Sequence, residues 1–192
     1  MSVDLYDRTF FGKRISYKRR APFIIKSIVE MYNPTTYIDC GCALGDLVQE
    51  ALNMDIDAIG IEGNESCLEF IQCPTDRILI CDLSKKITFS RSFDVLTSLE
   101  VAEHIEKEYV DIFIENLCAL SNNLIISICD YGPTTKIHPT IQHHDIWLEK
   151  FLVYNFYRQT EKENILKSKW DNIKGWPAVK EAYRNLIILE KS

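Results

Sequence analysis

Short apolar runs alternate with longer amphipathic stretches along most of this chain. The runs are rich in β-branched residues, which is typical of strands buried on both faces of a sheet. They comprise TYIDC (36–40), DAIGIE (57–62), RILIC (77–81), FDVLTSL (93–99) and NLIISIC (123–129). NFYRQ (155–159) and NLIILEK (185–191) predict two later strands.

Between these runs, apolar residues recur at helical spacing. The pattern from Lys18 to Tyr32 predicts an amphipathic helix that ends before Pro34, and similar patterns fall at 44–51 and 110–120. Strands that alternate with helices indicate βαβ units. We therefore expect an α/β fold with a doubly wound, Rossmann-like sheet of seven mostly parallel strands and an antiparallel last strand. A single domain would span 1–192, with 1–33 as its basic, helical N-terminal lid.

The composition is that of a globular protein, because 46% of the 192 residues are hydrophobic and only 7 are glycine and 6 proline. The formal net charge of −6 provides no general attraction to nucleic acid or anionic membranes. One basic segment, RTFFGKRISYKRR (8–20), departs from this balance. It predicts a solvated surface at the start of a helix, with a lip for an anionic substrate or nucleic acid as the alternative.

The chain has 7 cysteines, and Cys40, Cys81 and Cys129 fall inside apolar runs, where a thiol behaves as a small hydrophobe. Cys40 and Cys42 form a CxC without a second ligand pair, so we expect no structural zinc site. Reduced thiols predict an intracellular, cytoplasmic protein. The polar N-terminus predicts no signal peptide, and the apolar runs are too short to span a membrane.

Acidic residues and glycines follow the first three predicted strands. The first strand ends in a DxGxxxG pattern made by Asp39, Gly41 and Gly45, the second ends in Glu62, and the third runs into Asp82. Ligands of doubly wound sheets bind outside the carboxyl ends of the strands. These acceptors suit a cofactor with an ammonium group, a ribose diol and an adenine amine. The spacing differs from the GxGxxG of a dinucleotide-binding loop.

This pattern resembles the class I S-adenosylmethionine-dependent methyltransferases. The resemblance implies S-adenosylmethionine as cofactor and S-adenosylhomocysteine as product. The cofactor contacts that it implies are Asp39, Gly41, Gly45, Glu62, Asp82, Ser98 and Leu99. Ala43 departs from the pattern, because many members of the family have a glycine there, so the loop must accommodate a Cβ.

The stretch FDVLTSLEVAEHI (93–105) is similar to the fourth-strand signature of the methyltransferase-23 and methyltransferase-11 types. His138, Gln142 and Trp147 match a downstream segment of that group, and WDNIKGWPAVKEAYRNLIILEK resembles its final Trp-rich helix and strand. The resemblance implies methyl transfer to a hydroxyl or similar nucleophile of a small molecule or saccharide. We expect His104 to act as general base, because its ordinary pKa lies near neutrality, with His138 as the second candidate. The expected acceptor contacts are Glu100, Glu103, Gln142 and Trp147.

The Hen1-type small-RNA 2′-O-methyltransferases provide a second resemblance at Glu100, Glu103 and His104. It implies an RNA 3′ end as acceptor and a divalent metal, with His143 or His144 as the fourth ligand. We expect no metal, because methyl transfer to a well-placed acceptor does not require one and the acidic chain has no RNA-binding module. A catalytically silent Rossmann-like binding subunit is the third alternative, against which the intact acids of the first two strands argue.

Overall fold

The computed structural model describes residues 8–171 and 184–192, without the side chains of Lys13, Ser16 and Tyr17. The first residues of the predicted lid and most of the Trp-rich segment, 172–183, lie outside this description. In the described part of the chain, no helix is both long enough and apolar enough to cross a membrane.

A seven-stranded sheet forms the centre of the fold, and its strands coincide with the seven predicted runs to within two residues at either end. They are β1 (Thr36–Cys40), β2 (Asp57–Glu62), β3 (Ile78–Ile80), β4 (Val95–Leu99), β5 (Asn123–Ser127), β6 (Phe156–Arg158) and β7 (Leu186–Lys191). Their order is β3-β2-β1-β4-β5-β7-β6, and β7 runs antiparallel to the other six strands. The predicted fold class is confirmed.

The helices of the described residues pack on both faces of this sheet. They are α1 (Arg8–Arg14), α2 (Ala21–Tyr32), α3 (Asp46–Asn53), α4 (Val110–Leu120), α5 (His144–Leu152) and α6 (Thr160–Asp171). The helix predicted from Lys18 begins instead at Ala21, because Ile15–Arg20 forms a 3₁₀ helix. Pro22 marks the true start, since a proline is tolerated only in the first turn. Asn33 ends the helix in a left-handed conformation before Pro34.

Alternate residues of each strand enter two separate cores, as the two-residue period of a strand requires. On one face, Ile38 of β1 packs with α4 and α5, and on the other face Tyr37 packs with α2, α3 and α6. Because β1 lies between β2 and β4, the order of the strands reverses there. A crevice therefore opens at the carboxyl ends of β1 and β4.

A buried carboxylate ties the last three elements together. Glu163 of α6 is 1% exposed and accepts hydrogen bonds from Nε and Nη2 of Arg158 at 2.8 and 2.9 Å. It also accepts the backbone N–H of Ile188 in β7 at 3.1 Å. The edge strand β6 is thus fixed to both α6 and β7 by one side chain.

We expect Arg158→Ala to lower the free energy of unfolding by about 2–3 kcal/mol, because it leaves the Glu163 carboxylate buried without its main partner. The value lies at the low end for a buried pair, since Arg158 is 36% exposed and Lys167 lies 3.7 Å from Glu163. Urea unfolding measures this change. Lys86→Ala, which removes an exposed ion pair with Glu115, is the control and should leave the midpoint nearly unchanged. Equal effects of both substitutions would contradict the role given to Glu163.

Candidate active site

The loop between β1 and α3 turns in a way that only glycine accommodates at two positions. Gly41 and Gly45 have φ values of +84° and +74°. A Cβ at Gly41 would collide with Val101, and one at Gly45 would lie 2.5 Å from Sγ of Cys73. The loop can therefore pack closely against the sheet, which leaves its backbone facing the crevice.

Ala43, at the tip of this loop, is also left-handed, with a φ of +50°. That conformation costs an alanine about 1–2 kcal/mol. The carboxylate of Glu62 accepts the backbone N–H of Ala43 at 2.9 Å and so holds the loop in place. The loop accommodates the predicted Cβ at this position, in a strained conformation supported by β2.

Asp39 is buried where β1 ends. Thr97 of β4 donates a hydrogen bond of 2.6 Å to its Oδ1, and the Tyr37 hydroxyl lies 2.5 Å from Oγ1 of Thr97. Burial raises the pKa of Asp39 to about 7, against the hydrogen bond from Thr97 and the charge of Arg20. A cation beside this carboxyl group would therefore stabilise its ionised form.

Glu62 receives three backbone hydrogen bonds where β2 ends. Besides Ala43, the N–H of Asn64 donates to it at 3.1 Å and that of Gly63 also contributes. Burial nevertheless raises the pKa of Glu62 above its usual value. Each carboxylate oxygen can accept a second hydrogen bond, and the side chain lines the crevice.

Asp82 lies in the turn after β3, where Ser84 donates to its Oδ1 through the backbone N–H at 3.0 Å and the hydroxyl at 2.6 Å. Burial raises the pKa of Asp82, but the hydrogen bonds from Ser84 outweigh it, so the pKa is lowered overall. Its neighbour Leu83 lines the crevice. Both bonds from Ser84 go to Oδ1 of Asp82 and none to Oδ2.

The crevice contains a cavity of about 560 Å³, including its open mouth. Gly41, Ala43, Glu62, Gly63, Leu83 and Leu99 line the side next to β1 and β2, whereas Glu100, Val101 and His104 line the other side. Phe10, Phe11 and Arg14 of α1 also border it. The N-terminal segment thus borders the predicted site.

Ser98 does not line the cavity, although we expected it to contact the cofactor. Its side chain is 2% exposed, and the hydroxyl donates to the carbonyl of Cys40 at 2.9 Å inside the sheet. We therefore correct the predicted cofactor contact, because this hydroxyl joins β4 to β1. Leu99, the next residue, faces the opposite way along the strand and lines the cavity.

Two glutamates form a carboxyl pair on the far side of the cavity. Glu100 is left-handed, with a φ of +56°, and its N–H donates to both O and Oγ of Ser127. Glu103 is 1% exposed, and burial together with the charge of Glu100 raises its pKa to about 8. Glu103 is therefore largely protonated at neutral pH.

His104 is a neutral imidazole. Its Nδ1 lies 2.7 Å from the carbonyl of Ile137, which assigns the proton to Nδ1 and makes Nε2 the acceptor of the ring. Burial lowers the pKa of His104 to about 4. Our reason for choosing it, an ordinary pKa near neutrality, is therefore wrong, although a neutral imidazole is the form that accepts a proton.

His138 joins this cluster from the segment that precedes α5. Its ring meets that of His104 edge to face, with 4.7 Å between centroids. Ligand atoms of Glu103, His104 and His138 all lie within 4.8 Å of one another. The fold thus brings His138 to Glu103 and His104, which are adjacent in the sequence.

Two histidines of the alternative metal set lie elsewhere. Nδ1 of His143 accepts the N–H of Asp145 at the start of α5. Nε2 of His144 lies 2.8 Å from the carbonyl of Ile128, and its Nδ1 is 3.7 Å from Asp130. Neither histidine lies with Glu103 and His104, as the alternative metal set would require, and His138 is the histidine that does.

Trp147 and Gln142 were also predicted to contact the acceptor. Trp147 is fully buried in the core with Phe151, so the prediction that its side chain borders the acceptor is wrong. Large apolar residues at helical spacing on α5 explain this position. Gln142 is half-buried, and its Nε2 is a buried donor that has no hydrogen-bond partner among the described residues.

Several site residues were not singled out from the sequence. Asn185 donates to Oε1 of Glu100 at 3.2 Å, although 85 residues separate them. Arg14, Arg20 and Asp46 border the crevice, and of these only the arginines were signalled, as members of a basic segment. No local sequence pattern distinguishes Arg14 and Arg20, which border the crevice, from Lys18 and Arg19, which are exposed.

We expect Asp39→Asn to stabilise the ligand-free protein increasingly as the pH rises. The folded protein keeps a proton on Asp39 up to about pH 7, whereas the unfolded chain loses it near the ordinary pKa of 3.8. The free energy of unfolding therefore falls as the pH rises between these two values. Asparagine does not titrate, so it removes this loss of stability. The gain is at most about 4 kcal/mol at pH 8, because one pKa unit corresponds to about 1.4 kcal/mol. Urea unfolding at pH 5 and pH 8 measures this.

Asp94→Asn is the matched control. Burial opposes the hydrogen bonds from Thr35 and Thr36, which nevertheless lower the pKa of Asp94. Both the folded and the unfolded chain are then ionised at this position from pH 5 to pH 8, so its effect should not change between them. A pH-independent effect of Asp39→Asn would show that Asp39 is ionised well below neutrality.

No protein-family model and no curated protein sequence matches this chain. Solved structures do match it. The O-methyltransferase from a trans-AT polyketide synthase multienzyme of Brevibacillus brevis, in complex with S-adenosylhomocysteine, has a TM-score of 0.62 at 17% identity over 91% of this chain and 72% of that chain. A TehB-like methyltransferase from Corynebacterium glutamicum has a TM-score of 0.62 at 14% identity over 88% of this chain and 87% of that chain.

The methyltransferase domain of a bacterial Hen1 protein matches with a TM-score of 0.56 at 16% identity, over 74% of this chain and 88% of that chain. Identities this low bear on the architecture, which all three structures share with this chain. The chain has the fold of the class I S-adenosylmethionine-dependent methyltransferases.

Proposed function

We propose that the protein is an S-adenosylmethionine-dependent methyltransferase. The observation that carries this proposal is the pair of carboxyl groups, Asp39 buried and Glu62 half-buried, on either side of the glycine loop at the switch point of the sheet. Asp39 would bind the ammonium group of the cofactor, and Glu62 the two ribose hydroxyls. Leu83 would contact the adenine, whose amine would donate to Asp82.

When bound, S-adenosylmethionine supplies an electrophilic methyl group on a sulfonium. Leu99 and the backbone of the glycine loop would fix its position, and Glu100 and His104 would face the acceptor across the same cavity. Such positioning supplies most of the rate in an in-line transfer. Nε2 of His104 would accept the proton of the attacking hydroxyl.

A hydroxyl of a small molecule or saccharide suits the acceptor side of the cavity. Glu100 and His104 line it with hydrogen-bonding groups, and His138 and protonated Glu103 lie next to His104. Phe10 and Phe11 of α1 offer apolar faces opposite this polar wall. Mixed polar and apolar walls are suited to a sugar or a similar polyol-like molecule.

A metal-dependent methylation of an RNA 3′ end is the second candidate. The close approach of Glu103, His104 and His138 favours it, since Oε2 of Glu103 is buried without a hydrogen-bond partner among the described residues. These residues fit a divalent cation, which they would hold with Glu100 nearby, and the cation would supply a Lewis acid for a ribose hydroxyl. Net charge opposes this candidate.

Calorimetry with S-adenosylmethionine and S-adenosylhomocysteine tests the cofactor. We expect Asp39→Ala and Glu62→Ala each to weaken binding by about 10- to 100-fold, because a buried charge-assisted hydrogen bond contributes roughly 1.5–3 kcal/mol. Asp82→Asn should weaken it less, since that carboxylate would bind one amine. NAD serves as the control ligand. No heat with either cofactor at millimolar concentration would refute the proposal.

His104→Ala tests the acceptor side. It should leave cofactor affinity unchanged and reduce turnover by about 10²- to 10⁴-fold, the usual range for loss of a general base. Elemental analysis and an EDTA-treated assay on a small RNA accompany it. Stoichiometric metal, with RNA methylation that EDTA abolishes, would replace the first candidate by the second. Cofactor binding without turnover on any hydroxyl or RNA acceptor would favour the silent subunit.

A further inference from the structure

Arg14 is a member of the basic segment 8–20 to which the proposed function gives no role. It is half-buried at the end of α1, where it lines the crevice and also an adjoining cavity of about 490 Å³ beside the glycine loop. Of the described residues that line the crevice, it is the one with a permanent positive charge. The expectation of a merely solvated basic surface therefore does not account for Arg14.

The packing of α1 fixes the position of Arg14. Phe11 of this helix is 1% exposed and packs with Leu44 and Cys67. The guanidinium carbon of Arg14 lies 4.2 Å from the centroid of the Phe10 ring, a cation–π contact that orients the side chain. An arginine oriented in this way loses less conformational freedom when it binds a ligand.

The charge of Arg14 acts on both sides of the crevice. Burial is the main cause of the lowered pKa of His104, and the charge of Arg14 acts in the same direction. Burial raises the pKa of Glu62, whereas backbone hydrogen bonds and the charge of Arg14 oppose the rise. The guanidinium is thus within electrostatic range of the expected general base as well as of the acid that ends β2. An acceptor whose hydroxyl lies at Nε2 of His104 would therefore be close to it.

The acids that line the crevice have hydrogen-bond donors of their own. Glu62 accepts the backbone N–H of Ala43 at 2.9 Å, and Glu100 accepts Nδ2 of Asn185 at 3.2 Å. Neither carboxylate requires the guanidinium to hold it in place. A planar guanidinium has five N–H donors, and two of them can bind one carboxylate or phosphate group. Arg14 is therefore suited to an anionic group of a ligand.

We propose that Arg14 binds an anionic group of the methyl acceptor. The acceptor is then a small hydroxylated acid, such as a uronic acid or a sugar phosphate, whose reacting hydroxyl lies at Nε2 of His104. The inference rests on the first candidate of the proposed function, and it narrows the acceptor from hydroxyl compounds in general to those with a negative charge. The segment 8–20 contains no acidic residue, so it would attract such an acid despite the net charge of −6.

Calorimetry on the protein saturated with S-adenosylhomocysteine tests this anion site. The probes are glucose, glucuronate and glucose 6-phosphate, which share one sugar ring and differ in charge. We expect both acids to bind about 10- to 100-fold more tightly than glucose, the effect of one charge-assisted hydrogen-bonding partner. A difference between the two acids identifies the anion that the site prefers, and a preference for either over glucose supports the inference.

Arg14→Gln should abolish this preference. Glutamine can form hydrogen bonds but carries no charge, so the affinity for both acids should fall to that for glucose, which should change by less than about twofold. Arg14→Lys should retain part of the preference, because an ammonium keeps the charge without the planar fork. Arg19→Gln removes an exposed neighbouring arginine and is the matched control, which should alter none of the affinities. Thermal melting establishes that each variant is folded.

Equal affinity of the wild-type protein for glucose and the acids would overturn the inference, as would failure of both acids to bind. A preference for the acids that survives in Arg14→Gln would assign the anion to another residue and overturn it too. Tenfold weaker binding of S-adenosylhomocysteine by Arg14→Gln would assign the arginine to the cofactor and also overturn it, while the proposed function would stand. Failure of the wild-type protein to bind S-adenosylhomocysteine would refute the proposed function itself.

Discussion

Burial of ionisable groups at the carboxyl edge of the sheet is the constraint on which the site depends. Asp39 and Glu62 end adjacent parallel strands, where Asp39 is buried and Glu62 half-buried, and desolvation raises the pKa of both carboxyl groups. Their desolvation destabilises the ligand-free fold. A cationic or hydroxyl-bearing ligand restores the lost interactions, so the same burial that weakens the empty protein makes the site selective.

Glu62 also explains how a loop with an alanine at its tip keeps its shape. A left-handed Ala43 would relax without support, and the carboxylate of β2 holds its N–H while Val101 and Cys73 close the space beneath Gly41 and Gly45. Loop, strand and acid therefore depend on one another. This coupling joins the cofactor side of the crevice to the packing of the sheet.

The central strands could be predicted from the sequence because they are short apolar runs buried on both faces, and such runs are distinctive. The predicted start of α2 was three residues early because Ile15–Arg20 forms a 3₁₀ helix directly before it. In the site, residues at strand ends could be located, since topology brings strand ends together. The electrostatic state of His104 and the burial of Trp147 could not, because both are set by the segment 137–147 folding back over β4 and β5. Asn185 and Arg20 are likewise brought in by long-range packing.

The acceptor side is defined by a shortage of positive charge. Glu103 is largely protonated at neutral pH, and the neutral imidazole of His104 and the ring of His138 lie beside it. The proton satisfies this carboxyl group only in part, because Oε2 of Glu103 lacks a hydrogen-bond partner among the described residues. The two candidate functions differ in the positive charge that this side would face. In one it is the sulfonium of the cofactor, which passes its methyl group across the cavity, and in the other it is a resident divalent cation. In the first, the attraction disappears when the methyl group has moved and the sulfur becomes neutral, so the site would release its product more readily than it binds its cofactor.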